Sequence, residues 1–151
     1  MDEIDRLKWF SRAVLGKELD FENAEEKELI QNAVYISQLL GAHWTYDFSW
    51  EARKINSKSL NEALFVLRDR ELTYSPNSDE VEMVKKLKSV ESLLGKHALY
   101  NRKEDAYELT AAMLYLKTSM PEDEVKSYVK KAKPWFGEEH INDTMEFSKN
   151  I

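Results

Sequence analysis

The stretch that decides the fold is "NAEEKELIQNAVYISQLLG", residues 23–41. Its apolar residues recur every three or four positions, which places them along one face of an α-helix. Asn23 is a residue type that caps helix N-termini, and the acidic residues after it suit the positive end of the helix dipole. Gly41 follows the last apolar position, where a glycine commonly ends a helix. The stretch therefore predicts a helix between Asn23 and Gly41.

Helical signals continue on both sides of this stretch. Asp2 can cap a first helix that ends at Gly16. Ser59 with Glu62 three residues later forms the pattern of a capping box, which predicts a third helix that runs to about Leu72. The segment "LFVL" inside this third helix also fits a strand, but no second strand of similar quality exists to pair with it. We therefore predict a helix there.

The second half of the chain carries a cap or stop signal for each further helix. These signals are Ser78 at the start and Gly95 at the end of a fourth helix, an Asn101/Glu104 capping box for a fifth, Pro121 at the first position of a sixth, and a last helix within 138–149. Six to seven short-to-medium helices predict an all-α fold, bundle-like or orthogonal, with no sheet. We expect one compact domain over residues 1–151, which is enough chain to bury a core.

The composition excludes several classes of protein. The chain has no cysteine, so it forms no disulfide, thiolate metal site or cysteine nucleophile. The N-terminal sequence "MDEIDRLKWFSRAVLG" lacks the basic and apolar regions of a signal peptide. The apolar runs are far shorter than the roughly 20 residues of a membrane span. From these features we expect a cytoplasmic protein without membrane association.

No motif predicts a metal or a cofactor. His43, His97 and His140 lie far apart in sequence, and none has the glutamate three residues earlier that di-iron helix bundles use. The glycine-rich loops that bind phosphate are also absent. Glu22, Glu25, Glu26 and Glu28 have a spacing that would suit Mg²⁺, but acidic residues at a helix N-terminus are more simply explained by capping.

Basic runs and one histidine–aspartate pair give weak signals for two further functions. Basic runs at 84–88, 102–103 and 129–133, with Tyr100, Tyr107 and Tyr128 between them, are a weak pattern for nucleic-acid binding. The net charge of −6 and the pI near 5.2 argue against it, so nucleic acid is not an expected partner. His43 and Asp47, if they share a helical face, could act as an acid/base pair.

The segment "GAHWTYDFSWEARK", residues 41–54, has aromatic residues at strict alternation. An extended chain would place Trp44, Tyr46, Phe48 and Trp50 on one face, whereas a helix would spread them. We predict an extended connection followed by a short helix over "WEARKI". Packing as a lid on the core is the favoured interpretation, and a partner interface is the alternative, because tryptophan and tyrosine often anchor interfaces.

These observations lead to one functional expectation and two alternatives. We expect a small protein-binding module, acting as an inhibitor, an immunity protein or an anti-defence protein by stoichiometric binding to a macromolecule. The alternatives are a helical hydrolase that uses His43 and Asp47, and a structural subunit; a homo-oligomer is left open. The candidate partner-binding residues are Trp44, Tyr46, Asp47, Trp50 and Trp135, the last from the second aromatic turn "KPWFG".

Overall fold

A computed structural model describes residues 3–96 and 102–151 of the chain. It is 65% helical, which confirms the predicted all-α fold. The elements, in chain order, are α1 Glu3–Leu15, α2 Ala24–Leu39, β1 Ser49–Glu51, β2 Lys54–Asn56, α3 Lys58–Leu67, α4 Ser78–Lys88, a 3₁₀ helix Ser89–Lys96, α5 Lys103–Leu116, α6 Glu122–Ala132 and α7 Glu138–Ser148.

Helix α2 is the centre of the fold, as its sequence predicts. The Asn23 side chain accepts a hydrogen bond from the Glu26 backbone N–H, and Asn23 Nδ2 donates to the Glu26 carboxylate at 2.9 Å. Gly41 has φ +104°, a conformation that favours glycine, directly after the helix. Residues 29–37 are buried all around, because α2 packs against α5 on one side and contacts α1, α3 and α4 on others.

The described residues form two core clusters. The larger one joins α1, α2, α3, α4 and one face of α5 around side chains such as Phe10, Ile30 and Leu64. The smaller one joins another face of α5 to α6 and α7 around Met113, and the partly buried Trp50 packs against both clusters. Within the described ranges, no helix is long and apolar enough to cross a membrane.

The segment after the alternating aromatics forms a β-hairpin, so the predicted short helix and the predicted absence of a sheet are both wrong. Strands β1 and β2 pair antiparallel with Trp50 opposite Ile55. Ala52 and Arg53 form the two-residue turn with φ of 52° and 66°. Two successive positive φ values define a type I′ turn, which usually uses Asn-Gly. Ala-Arg gives no such signal in the sequence.

Two predicted helix starts are displaced. Helix α3 is capped by Ser57 rather than Ser59, because Ser57 Oγ accepts a hydrogen bond from the Leu60 N–H at 3.2 Å. It ends at Leu67, not at about Leu72, since the residues that follow bury no apolar side chain. In α6, Pro121 is the cap rather than the first helical residue.

Helix α4 is capped by Asn77, which forms a capping box with Glu80. The α-helix ends at Lys88, and the 3₁₀ helix replaces the predicted continuation to Gly95. Arg102 occupies the cap position of α5 without a side-chain cap hydrogen bond. Asp2, His97, Tyr100 and Asn101 lie outside the described residues, so the cap predicted at Asp2 stays a prediction. The cap predicted for α5 at Asn101 is wrong, because the cap position is Arg102.

Candidate functional site

The alternating aromatics face inward, as the extended interpretation predicts. Trp44 and Tyr46 are buried, while Thr45 between them is exposed. Trp44 Nε1 donates a hydrogen bond to Ser37 Oγ at 2.9 Å, and its ring meets Phe10 edge-on. The Arg6 guanidinium lies 4.1 Å from the centre of the Trp44 ring. Trp44 is therefore enclosed between the core and Arg6.

Trp50 holds the hairpin against the helices. Its ring stacks on Tyr115 of α5 with 5.8 Å between centroids. Its Nε1 donates to Tyr128 Oη of α6 at 3.1 Å. Phe48, two residues earlier, meets the ring of Tyr35 edge-on. These contacts fix the hairpin relative to α5 and α6, and Trp50 is only partly exposed.

Trp135 differs from the other candidate tryptophans, because 51% of it is exposed. In the turn between α6 and α7, Phe136 enters the smaller core cluster and Trp135 stays at the surface. The Lys133 ammonium lies 5.6 Å from the centre of the Trp135 ring. Lys133 itself is buried and forms an ion pair with Glu108 at 3.4 Å. The neighbouring core residue and this pair together fix the turn that presents Trp135.

Trp135 borders a depression of about 380 Å³ between α2 and α5. A second depression, of about 220 Å³, continues from it toward the hairpin and shares three lining residues with it. We call the two together the acidic groove. Its lining residues are Ala24, Glu25, Lys27, Glu28, Leu29, Gln31, Asn32, Lys54, Ile55, Asn56, Asn61, Arg102, Glu104, Asp105, Glu108 and Trp135.

Ion pairs hold the carboxylates of the acidic groove in place. Glu25 accepts a hydrogen bond from Arg102 at 2.9 Å, and Glu28 pairs with Lys54 of the hairpin. Arg102 also lies 3.6 Å from Asp105. Burial raises the pKa of Asp105 above its ordinary value, although the nearby Arg102 opposes this shift. Carboxylates still outnumber cations at the Trp135 end of the groove.

Within residues 3–96 and 102–151, no group of three or more histidine, aspartate or glutamate side chains is placed to hold a metal ion. Glu26 lies in the first turn of α2 and its carboxylate accepts a hydrogen bond from the cap residue Asn23, in agreement with the capping interpretation of this acidic run. The side chain of Glu26 is almost completely buried, where it also forms an ion pair with Lys17 at 2.9 Å. The expectation that the protein uses no metal or cofactor stays a prediction.

His43 and Asp47 belong to different surfaces. Residues 42–48 form no helix in the structure, so the expectation that the two share a helical face is wrong. His43 borders a cleft of about 520 Å³ with Trp9 and Tyr74. Asp47 is exposed beside Phe48, at a separate depression that meets the acidic groove at Asn56. The arrangement gives no support to an acid/base pair.

The two described tyrosines of the nucleic-acid hypothesis both form hydrogen bonds within the protein. Tyr107 is completely buried and donates a hydrogen bond to Glu91 at 2.8 Å. Burial, and to a lesser extent the Glu91 carboxylate, raises the pKa of Tyr107. Tyr128 accepts the hydrogen bond from Trp50. The buried Tyr107 ring is not free to stack on a base, Tyr128 is partly exposed, and Tyr100 lies outside the described ranges.

The sequence did not reveal the acidic groove. In the sequence, Glu25 and Glu28 have the pattern of acidic residues near a helix N-terminus, and nothing connects them with Glu104, Asp105 and Glu108. Residues on two helices far apart in sequence meet only after α2 and α5 pack. Comparison with protein-family models, with curated proteins and with solved structures found no match for this chain.

Proposed function

We propose that the protein is a binding module that receives a basic segment of a partner protein in the acidic groove. The observation that carries this proposal is the half-exposed Trp135 at one end of a groove lined by five carboxylates. An exposed aromatic ring beside carboxylates is the surface that attracts a lysine or arginine side chain.

The energies of these contacts favour this class of ligand. A cation over a tryptophan ring contributes about 0.5–1 kcal/mol at an exposed site and about 2 kcal/mol when water is excluded. Arginine also forms two parallel hydrogen bonds to a carboxylate, which orients it. Several such contacts along the groove would add specificity and accelerate association, because opposite potentials steer the two proteins together.

The shape of the groove favours an extended segment over a small molecule. Its two depressions lie side by side from Trp135 to the hairpin, with the carboxylates of α2 and α5 along it. We assign Trp135 as the anchor, and Trp50 as the residue that holds the hairpin wall in position. Asp47 lies next to the groove and extends its acidic surface. The burial of Trp44 and Tyr46 gives them a supporting role.

Stoichiometric inhibition is part of this proposal. A rigid acidic surface that covers a basic region of another protein would block what that region binds. An inhibitor, immunity or anti-defence role follows from such a mechanism. The absence of cysteine fits a reducing compartment, so we place this role in the cytoplasm.

A photo-crosslinking experiment tests the proposal. Benzoylphenylalanine replaces Trp135 in one variant and Val81 in another, because Val81 is an exposed apolar residue of α4 that does not line the groove. Both variants are irradiated in lysate of the native host, and the crosslinked peptide is sequenced. We expect position 135, and not position 81, to crosslink to a segment rich in lysine and arginine.

Charge reversal provides the matched control. Glu104 and Glu124 both lie in the first turn of a helix, but only Glu104 lines the groove. Glu104→Lys should abolish the crosslink from position 135, and Glu124→Lys should leave it unchanged. A crosslinked segment without basic residues, or a crosslink that survives Glu104→Lys, would refute the proposal.

A further inference from the structure

Helix α3 presents apolar side chains to solvent on the face opposite the core. Leu60, Leu64 and Leu67 are buried against the core, as the helical period requires. On the outer face, Phe65 is 64% exposed and Val66 is 47% exposed. An exposed phenylalanine beside an exposed valine is a small apolar patch, and such patches often mark interaction sites.

The charges around this patch are arranged symmetrically. Glu62 lies three residues before Phe65, Arg68 lies three residues after it, and both are exposed. Residues three apart on a helix are neighbours on its surface. Glu62 forms no ion pair with any described residue. The Arg68 guanidinium lies 4.6 Å from the centre of the Phe65 ring, so it covers part of the patch.

We infer that the outer face of α3 binds a second copy of the chain, with the two α3 helices antiparallel across a two-fold axis near Phe65. In a two-fold interface, residue i of one copy meets residue j of the other, and j meets i. The axis at Phe65 brings Glu62 of each copy to Arg68 of the other. Phe65 and Val66 of one copy then pack against Phe65 and Val66 of the other, with a Glu62–Arg68 ion pair on each side.

The charge pattern selects a second copy rather than a different partner. A face with one acidic and one basic residue at equal distances from its centre is complementary to itself when turned by 180°. The exposed Lys58 and Asp69, of which Asp69 lies 3.8 Å from Arg68, add one charge of each sign, so the face has no excess charge to attract an acidic or a basic protein.

The size of the face sets the strength of the association. Helix α3 has ten residues, which gives a length of roughly 15 Å. The face is therefore smaller than the roughly 800 Å² that each partner contributes to a standard interface. We expect a reversible dimer that forms as the protein concentration rises.

Sedimentation of the purified protein over a concentration series into the millimolar range tests the inference. We expect monomer at the lowest concentrations and dimer at the highest. Phe65→Glu should keep the chain monomeric throughout. Val81→Glu is the control, because it places the same charge at another exposed apolar helix position. Circular dichroism checks that both variants fold, and a monomer at every concentration of the parent protein overturns the inference.

Charge exchange tests the proposed symmetry. Glu62→Lys alone and Arg68→Glu alone each place like charges across both ion pairs, so each variant should raise the dissociation constant at least about tenfold. An equimolar mixture of the two variants restores opposite charges at both positions in the mixed dimer. We expect the mixture to dimerise like the parent protein. A dimer that none of these changes affects lies elsewhere and overturns the inference.

Discussion

At the scale of single residues, the tryptophans of this chain show how environment decides the role of a side chain. Trp44 has its indole N–H satisfied by Ser37 and its faces covered by Phe10 and Arg6. Trp135 contacts the Lys133 ammonium and the ring of its neighbour Phe136, and it is half exposed. Their sequence contexts are alike, since each is part of an aromatic pattern between helices. The difference in burial therefore assigns a stabilising role to Trp44 and leaves Trp135 available for binding.

This difference predicts the outcome of two substitutions. Trp44→Ala should lower the free energy of unfolding by about 3–5 kcal/mol, because it leaves a cavity in the core. Trp135→Ala should change it by less than about 0.5 kcal/mol, as surface substitutions usually do. Urea unfolding of both variants measures these values. Equal losses of stability would show that Trp135 also belongs to the core.

Tyr35 predicts a dependence of stability on alkaline pH. Burial, and to a lesser extent the neighbouring Tyr115, raises the pKa of Tyr35 to about 12. An unfolded tyrosine has a pKa of about 10, so between these values the folded state holds a proton that the unfolded state loses. The stabilisation is complete below pH ~10 and is lost as the pH rises toward the folded pKa.

We therefore expect the free energy of unfolding of the parent protein to fall between about pH 10 and about pH 12. In Tyr35→Phe, which cannot ionise, this fall should be smaller. Urea unfolding at a series of pH values measures both. Identical slopes for the two proteins would contradict the assignment of the shift to Tyr35.

At the scale of elements, the sequence predicts helix ends that carry local capping signals. It does not predict elements that form only through contacts with residues far along the chain. Asn23 and Gly41 mark the ends of α2 by their own chemistry, and the structure confirms both. The hairpin has no such signal, because Ala52 and Arg53 are atypical of its turn. It forms because Trp50 packs against α5 and α6, and those helices follow more than fifty residues later. The acidic groove was missed for the same reason.

The hairpin turn predicts a stabilising substitution. Ala52 and Arg53 adopt positive φ, and a left-handed conformation costs an ordinary residue about 1–2 kcal/mol. Both side chains are exposed, so their replacement loses no packing. Ala52→Asn together with Arg53→Gly should raise the free energy of unfolding by about 1 kcal/mol. A lower midpoint in thermal unfolding would show that the turn is not of type I′.

At the scale of the whole molecule, the residues that form the core are different from those that line the proposed binding site. The two core clusters enclose the aromatic rings that the alternating segment contributes. The pairing of α2 with α5 places their acidic residues along one surface, and the turn between α6 and α7 adds Trp135 to it. No single element contains this site. It exists because the helices pack in this arrangement.

The central claim is that the acidic groove binds a basic segment with Trp135 as its anchor. The most direct test is calorimetric titration of the crosslinked segment, made as a synthetic peptide, into the parent protein and into Trp135→Ala. Loss of an anchoring tryptophan costs at least about 2 kcal/mol of binding, or roughly thirtyfold in affinity. We predict that Trp135→Ala binds the peptide roughly thirtyfold more weakly than the parent protein, with an unchanged melting temperature. Equal affinity of the two proteins for the peptide would contradict the claim.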